Sequence, residues 1–300
     1  MTTDTERFLA VAGEFLRADP AGNSVMLTVT ENLRVSGAGP AASAPLYGWW
    51  QPAAGERVTA AFMHTPDFPV MLSRVNGPAA ARLAGELAGV GRRVHGVNAG
   101  QEAADAFAAA WRDRTGDAVA VHRRMRLFRL GELRPPRPGP EGTARLAAGT
   151  DRDLLAGWFG VFAREAGEPP REDEHAAVTE RLGYGGITLW EAGGVPVSVA
   201  GRTRAVAAMV RVGPVYTPPE LRGHGYAGAV TVAVSQAALD AGVREVVLYT
   251  DLANPTSNAL YQRLGYRPVE DRVVFSFTSA RHALRFTRER TPGLRPADRR

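Results

Sequence analysis

The chain has 300 residues, 45% of them hydrophobic, enough for one large domain or two medium ones with ample cores. It contains no cysteine, which excludes disulfides, zinc–thiolate sites and a cysteine nucleophile. The formal net charge of +5 sits on the last stretch, where arginines 281, 285, 288, 290, 295, 299 and 300 face only Glu289 and Asp298. The rest of the chain is neutral, so no nucleic-acid partner is expected. All 36 basic residues are arginine, which with abundant Ala, Gly and Pro fits a GC-rich bacterial genome. No apolar run approaches a membrane span, and Met1 to Asp19 carries acids and lacks a signal-peptide pattern. A soluble, cytoplasmic protein without membrane contact is expected.

Residues 5–19 place Phe8, Leu9, Val11, Ala12, Phe15 and Leu16 at helical spacing and stop before Pro20. A second helix is predicted over 24–33, and small residues at 36–45 break the pattern. Runs at 46–51, 58–64 and 70–74, set off by Gly or Pro, predict strands. A helix at 79–87, a short strand at 93–97, a helix at 103–115 and a long strand at 118–130 follow. Residues 131–142, with prolines at 135, 136, 138 and 140, read as a stiff interdomain linker.

Beyond it, 143–147 predicts a strand, and Asp151 is a good N-cap for a helix to Glu165. A helix at 174–182 precedes a hairpin of 187–191 with 195–202. The strand 207–217 runs into Pro218 and Pro219, which supply no amide hydrogens, so ladder pairing is expected to stop there. A helix at 226–241 ends at Gly242. A strand at 245–250, a helix at 255–264 and two strands at 267–269 and 272–277 complete the pattern, with a helix allowed at 283–290.

Between strand and helix lies Val215-Tyr216-Thr217-Pro-Pro-Glu-Leu-Arg222-Gly223-His224-Gly225-Tyr226-Ala227. Gly223 and Gly225 permit a sharp turn, and the first-turn amides of the helix form a positive end suited to phosphate, with Arg222 beside them. This stretch resembles the R/Q-x-x-G-x-G/A signature of the GNAT acyltransferase superfamily. A second element, Asn254-Pro-Thr-Ser257-Asn258-Ala-Leu-Tyr261-Gln-Arg-Leu-Gly-Tyr, is similar to the superfamily's N-x-x-A-x-x-x-Y-x-x-x-G-F/Y element, with Ser257 where alanine is common. Asn258 and Tyr261, three apart, share a helix face.

The resemblance implies an α/β (α+β) fold, a mixed, mostly antiparallel sheet flanked by helices, in two tandem copies. It places a degenerate copy at 1–130, which lacks the phosphate loop, the linker at 131–142, a catalytic copy at 143–278 and a basic tail at 279–300. It implies acetyl-CoA as cosubstrate, with Arg222, Gly223, His224, Gly225, Tyr226 and Ala227 at its pyrophosphate. Val215, Tyr216 and Thr217 would lie along the pantetheine, joined by Asn254, Ser257, Asn258 and Tyr261, with Asn254 also a catalytic candidate that would order a water near the amine. Tyr261 would stand near the sulfur as a donor to the leaving thiolate, and one strand amide would polarise the thioester carbonyl. The activity implied is transfer of an acetyl group to the primary amine of a small molecule, directly and in a ternary complex.

Asp251, just past a strand end, is the first candidate for the general base and Glu191 the second, while Trp158, Tyr184 and Trp190 could line an acceptor pocket. Histidines 64, 95, 122, 175 and 282 show no ligand spacing, so no metal is expected. A homodimer is compatible with the sequence. The alternatives are a coenzyme-binding module without catalysis and a transferase for another acyl or aminoacyl donor.

Overall fold

The computed structural model describes residues 1–37, 44–53, 55–168 and 173–279. The helix allowed at 283–290 and the basic tail beyond residue 279 lie outside these. Among the described residues no helix is long and apolar enough to cross a membrane. The helices are α1 (Thr5–Ala18), α2 (Ser24–Ser36), α3 (Gly77–Gly89), α4 (Gln101–Thr115), α5 (Arg152–Glu165), α6 (Glu174–Gly183), α7 (Tyr226–Asp240) and α8 (Pro255–Arg263). The strands are β1 (Leu46–Trp50), β2 (Ala60–His64), β3 (Val70–Leu72), β4 (Gly96–Ala99), β5 (Ala118–Leu130), β6 (Thr143–Leu146), β7 (Ile187–Ala192), β8 (Val195–Arg202), β9 (Met209–Tyr216), β10 (Glu245–Asp251) and β11 (Tyr266–Thr278). The sequence divides the last of these into two strands at Glu270 and Asp271. Asp271 instead stays within the strand, gripped by the Arg126 guanidinium at 2.6 and 2.7 Å.

The chain forms two compact units that are not consecutive in sequence, where the sequence alone suggests a division at 131–142. The first contains the described residues of Met1–Ala12, Gly39–Arg124 and Arg272–Arg300; the second contains Gly13–Ala38 and Met125–Asp271. In the first unit the strand order is β1-β2-β3-β4, then β11 and β5. β3 and β4 run parallel, joined through α3, whereas β1 with β2, β2 with β3 and β4 with β11 pair antiparallel. Apolar residues at helical spacing explain the packing: Ala80, Leu83, Ala84 and Leu87 of α3 and Ala104, Phe107, Ala108 and Trp111 of α4 are buried together. Phe277 of β11 stacks against Trp111 at 5.6 Å. Arg272 is buried beside β3 and β4, donating to the carbonyls of Leu72 (2.6 Å) and Asn98 (2.9 Å) and to Asn98 Oδ1 (2.9 Å).

In the second unit the order is β11-β5-β10-β9-β8-β7-β6. β10 pairs antiparallel with β5 and parallel with β9. The core under α7 includes Val210, Val212, Val230, Val234, Val246 and Leu248, and the opposite face buries Leu155, Phe159, Val178, Leu189 and Val199 against α5 and α6. Residues 131–142 stay irregular, as their prolines require. They are nevertheless tied to this unit, Gly131 N–H donating to the Gly265 carbonyl, Arg134 N–H to that of Leu264, and the Trp190 indole to that of Glu141. Asp151 does not cap α5 with its side chain. Its carboxylate accepts the Ala148 amide in the preceding 3-10 turn and pairs with Arg145, which holds its pKa below the usual carboxylate range.

Candidate functional site

The site begins where two parallel strands part. Met209 to Val212 of β9 pair with Glu245 to Leu248 of β10, and no pair follows. Tyr249, Thr250 and Asp251 pair only with β5. On its other edge β9 shifts register, Val212 opposing Arg202 while Val215 opposes Ala200, so Gly213 and Pro214 stand opposite one residue of β8. This is a β-bulge, and it makes Val212 and Val215 both contact the core under α7. The parting therefore lies at Gly213-Pro214, five residues before the prolines from which the sequence places it. Pro214 has no amide to donate. Beyond the bulge, Ser198 Oγ donates to the Tyr216 carbonyl at 3.0 Å and meets Thr217 Oγ1 at 2.8 Å, fixing the strand end.

The chain then turns through Pro219–Leu221 into the glycine loop. Gly223 and Gly225 have φ of +86° and +83°, the left-handed region that side chains with a Cβ rarely adopt. Gly225 is the N-cap of α7, and no side chain caps that helix. Among the described residues, no acceptor serves the amides of 223 to 228; the first bonded amide is that of Ala229, to the Gly225 carbonyl. A row of free donors at the positive end of a 15-residue helix is an anion cradle.

The equivalent helix of the first unit is closed. At the start of α3 the Gly77 amide donates to Glu102, Pro78 has none, and Ala79 donates to the Asn76 side chain.

Arg222 does not point freely into this cradle. Its Nε donates to the Thr217 carbonyl at 2.9 Å, and its Nη2 bonds Glu165 at 2.7 Å. It braces the loop, a role that depends on a residue 57 positions away and that the motif does not show. His224 is exposed and stacks on Tyr226 with centroids 5.5 Å apart.

α8 lies beside the loop because Gly228 leaves room for it; a Cβ there would meet Leu260 at 3.3 Å. Asn254 caps α8 by accepting the Ser257 amide at 3.0 Å. Asn258 Nδ2 donates to the carbonyls of Asp251 (2.8 Å) and Asn254 (2.7 Å), which fixes the amide and leaves Oδ1 buried without a partner. Tyr261 is buried in the core that includes Val212 and Val230, and its hydroxyl bonds no described residue. Burial alone pushes its pKa up to about 12.

Asp251 Oδ1 accepts the Ala253 amide at 2.8 Å. Glu191 is committed to Arg145 at 2.7 Å and is no free base. Tyr184 donates to the Arg202 carbonyl and Trp158 packs on Tyr216, so both are held by the fold. Among the described residues no group of His, Asp and Glu is placed to hold a metal.

A mixed sheet with a parallel pair that parts at a bulge, followed by a glycine turn and an uncapped helix, is the arrangement that the sequence resemblance to the GNAT superfamily implies. Comparison with solved structures agrees. A GCN5-related N-acetyltransferase from Sphaerobacter thermophilus gives a TM-score of 0.58 at 18% identity, covering 87% of this chain and 93% of that one. A GCN5-related N-acetyltransferase from Kribbella flavida gives 0.54 at 16%, covering 88% and 97%. A tandem GNAT protein from the clavulanic acid biosynthesis pathway gives 0.50 at 19%, covering 85% and 87%. Residues 200–275, from the end of β8 into β11, match the family model described as FR47-like protein. No curated protein sequence matches the chain significantly. The chain has the GNAT fold in a tandem arrangement.

Proposed function

We propose that the chain is an acyl-CoA-dependent N-acyltransferase that moves an acetyl group from acetyl-CoA to the primary amine of a small molecule. The observation that carries this is the set of partnerless amides from Gly223 to Gly228 next to the parted strands β9 and β10. Main-chain donors of this kind suit a pyrophosphate. The edge of β9 at 215–217, released from β10, suits the amides of a pantetheine chain as an added strand would. Asn254, Ser257 and Asn258 border the same end of β10, and the fixed, unpaired Oδ1 of Asn258 is an acceptor ready for an N–H.

Acetyl-CoA supplies an activated acyl group and a thiolate leaving group. The amine nitrogen attacks the carbonyl carbon, an amide of β9 polarises the carbonyl oxygen, and the carbon–sulfur bond breaks. Tyr261 remains protonated at neutral pH and donates a hydrogen bond to the departing thiolate. Asp251, at the end of β10 beside the parted strands, is the carboxylate assigned to take the ammonium proton, and the second proton shed by the nitrogen as the amide forms goes to the expelled thiolate. The absence of cysteine closes the cysteinyl acyl-enzyme route and favours direct transfer in a ternary complex.

Calorimetry with acetyl-CoA, followed by coenzyme release over a panel of amines, tests the proposal. Binding with turnover is expected. Binding without turnover on any amine would leave a coenzyme-binding module, and no binding would remove the loop assignment.

A further inference from the structure

Arg211 stands on β9 between Val210 and Val212, whose side chains enter the core under α7. Alternation along the strand turns Arg211 to the other face, where α5 and α2 pack on β9. It is paired with Val247, one position before the last β9–β10 pair. Its guanidinium makes no hydrogen bond or ion pair with any described residue, and Nη1 is sealed from solvent. Other structurally placed arginines behave differently: Arg272 is saturated with carbonyls, Arg145 holds two carboxylates, and Arg222 holds a carboxylate and a carbonyl.

A guanidinium stays charged at any pH a protein tolerates, and sealing one of its nitrogens without a partner is costly. The groups whose fields reach it are Tyr249, Arg181, Glu168 and Tyr184. Tyr249 follows Leu248 on β10, so it shares the face of Arg211, and its hydroxyl bonds no described residue. Two donors thus face the same side of the sheet, beside the point where the strands open, and both lack an acceptor.

We propose that Arg211, with Tyr249, receives a carboxylate on the acceptor, so that the substrate is an amino acid or a similar amine that also carries a carboxylate. The assignment rests on the acyl-transfer reading above and narrows its substrate class. Of the charges that act on the guanidinium, Arg181 adds one cation and Glu168 one anion, so a single positive charge is left to be met, which suits one carboxylate better than the two negative charges of a phosphate. A fork-shaped donor set also matches a planar carboxylate.

The test is coenzyme release by the full-length protein with paired acceptors: alanine and alaninamide, phenylalanine and phenylalaninamide, β-alanine and its amide, and phosphoethanolamine against ethanolamine. The wild type is expected to prefer the carboxylate of at least one pair by about 10²-fold or more in kcat/KM. Arg211→Gln should abolish that preference through KM for the carboxylate, with KM for acetyl-CoA unchanged, and Arg211→Lys should keep part of it. Equal rates within every pair, a preference that survives in R211Q, or a preference for phosphoethanolamine overturns the assignment. Should R211Q fail to fold, the wild-type pairs decide alone. A wild type that binds acetyl-CoA and turns over the amides without favouring carboxylates sinks this inference and leaves acyl transfer standing; one that does not bind acetyl-CoA sinks both.

Discussion

Burial sets the protonation state of Tyr261. Desolvation disfavours the phenolate, and no neighbouring cation offsets it, so the hydroxyl is a donor throughout the working pH range. Tyr261→Phe should lower kcat on the order of 10²-fold while acetyl-CoA affinity measured by calorimetry stays within a factor of about two; unchanged turnover would take the hydroxyl out of the reaction.

His64 shows the opposite response to burial. It is almost fully buried in β2, its Nδ1 accepts from Arg92 Nε at 3.1 Å, and burial first, then the Arg92 charge, lowers its pKa to about 4. The unfolded chain, with histidine near 6.5, takes up the proton first. The stability held by neutral His64 is therefore complete above pH 6.5 and is lost as pH falls toward 4, about 3 kcal/mol over that window. Urea midpoints between pH 7.5 and 4.5 should show this slope in the wild type and a smaller one in His64→Gln; identical slopes would exonerate the histidine.

At this scale the sequence carried much. The helix expected at 255–264 is present as α8 with Asn254 capping it, whereas the burial of Tyr261 comes from the core that the helix packs on. The engagement of Arg222 by Glu165, and the isolation of Arg211, depend on chain segments brought together only by folding.

Two helix N-termini decide which unit can hold a phosphate. α3 spends its first donors on Glu102 and Asn76, while α7 leaves a run of them open. Hydrogen bonds to charged groups contribute about 1.5–3 kcal/mol each. Gly225→Asp, which sets a Cβ in the left-handed region and a carboxylate among the donors, should weaken acetyl-CoA binding by about tenfold or more, read by calorimetry. Retained affinity would place the pyrophosphate elsewhere. The loop was legible because its glycines and the following helix are local. The bulge at Gly213-Pro214 was not, since it shows only against the register of β8, and the pair of prolines downstream gave a stronger local signal.

For the whole molecule, the contrast between the units predicts a stoichiometry. In the first unit the Arg272 guanidinium already bonds the Leu72 carbonyl of β3 and the Asn98 carbonyl of β4, the strand pair that corresponds to β9 and β10. Titration with acetyl-CoA should saturate at one equivalent per chain, and a second equivalent would refute the plugged reading of that unit. The tandem repeat was visible in the order of elements. Which strand completes which sheet was not, because β5 and β11 both mix apolar with charged residues along 13 positions and only their partners distinguish them.

The strand order has a consequence for synthesis. β4 finds its neighbour in residues 273–276, so while the ribosome is still working through the second unit the first has an open edge of unpaired amides and carbonyls. Its sheet can close only after about 270 residues have emerged, and until then a growing chain is exposed to strand-to-strand capture by its fellows on the same message.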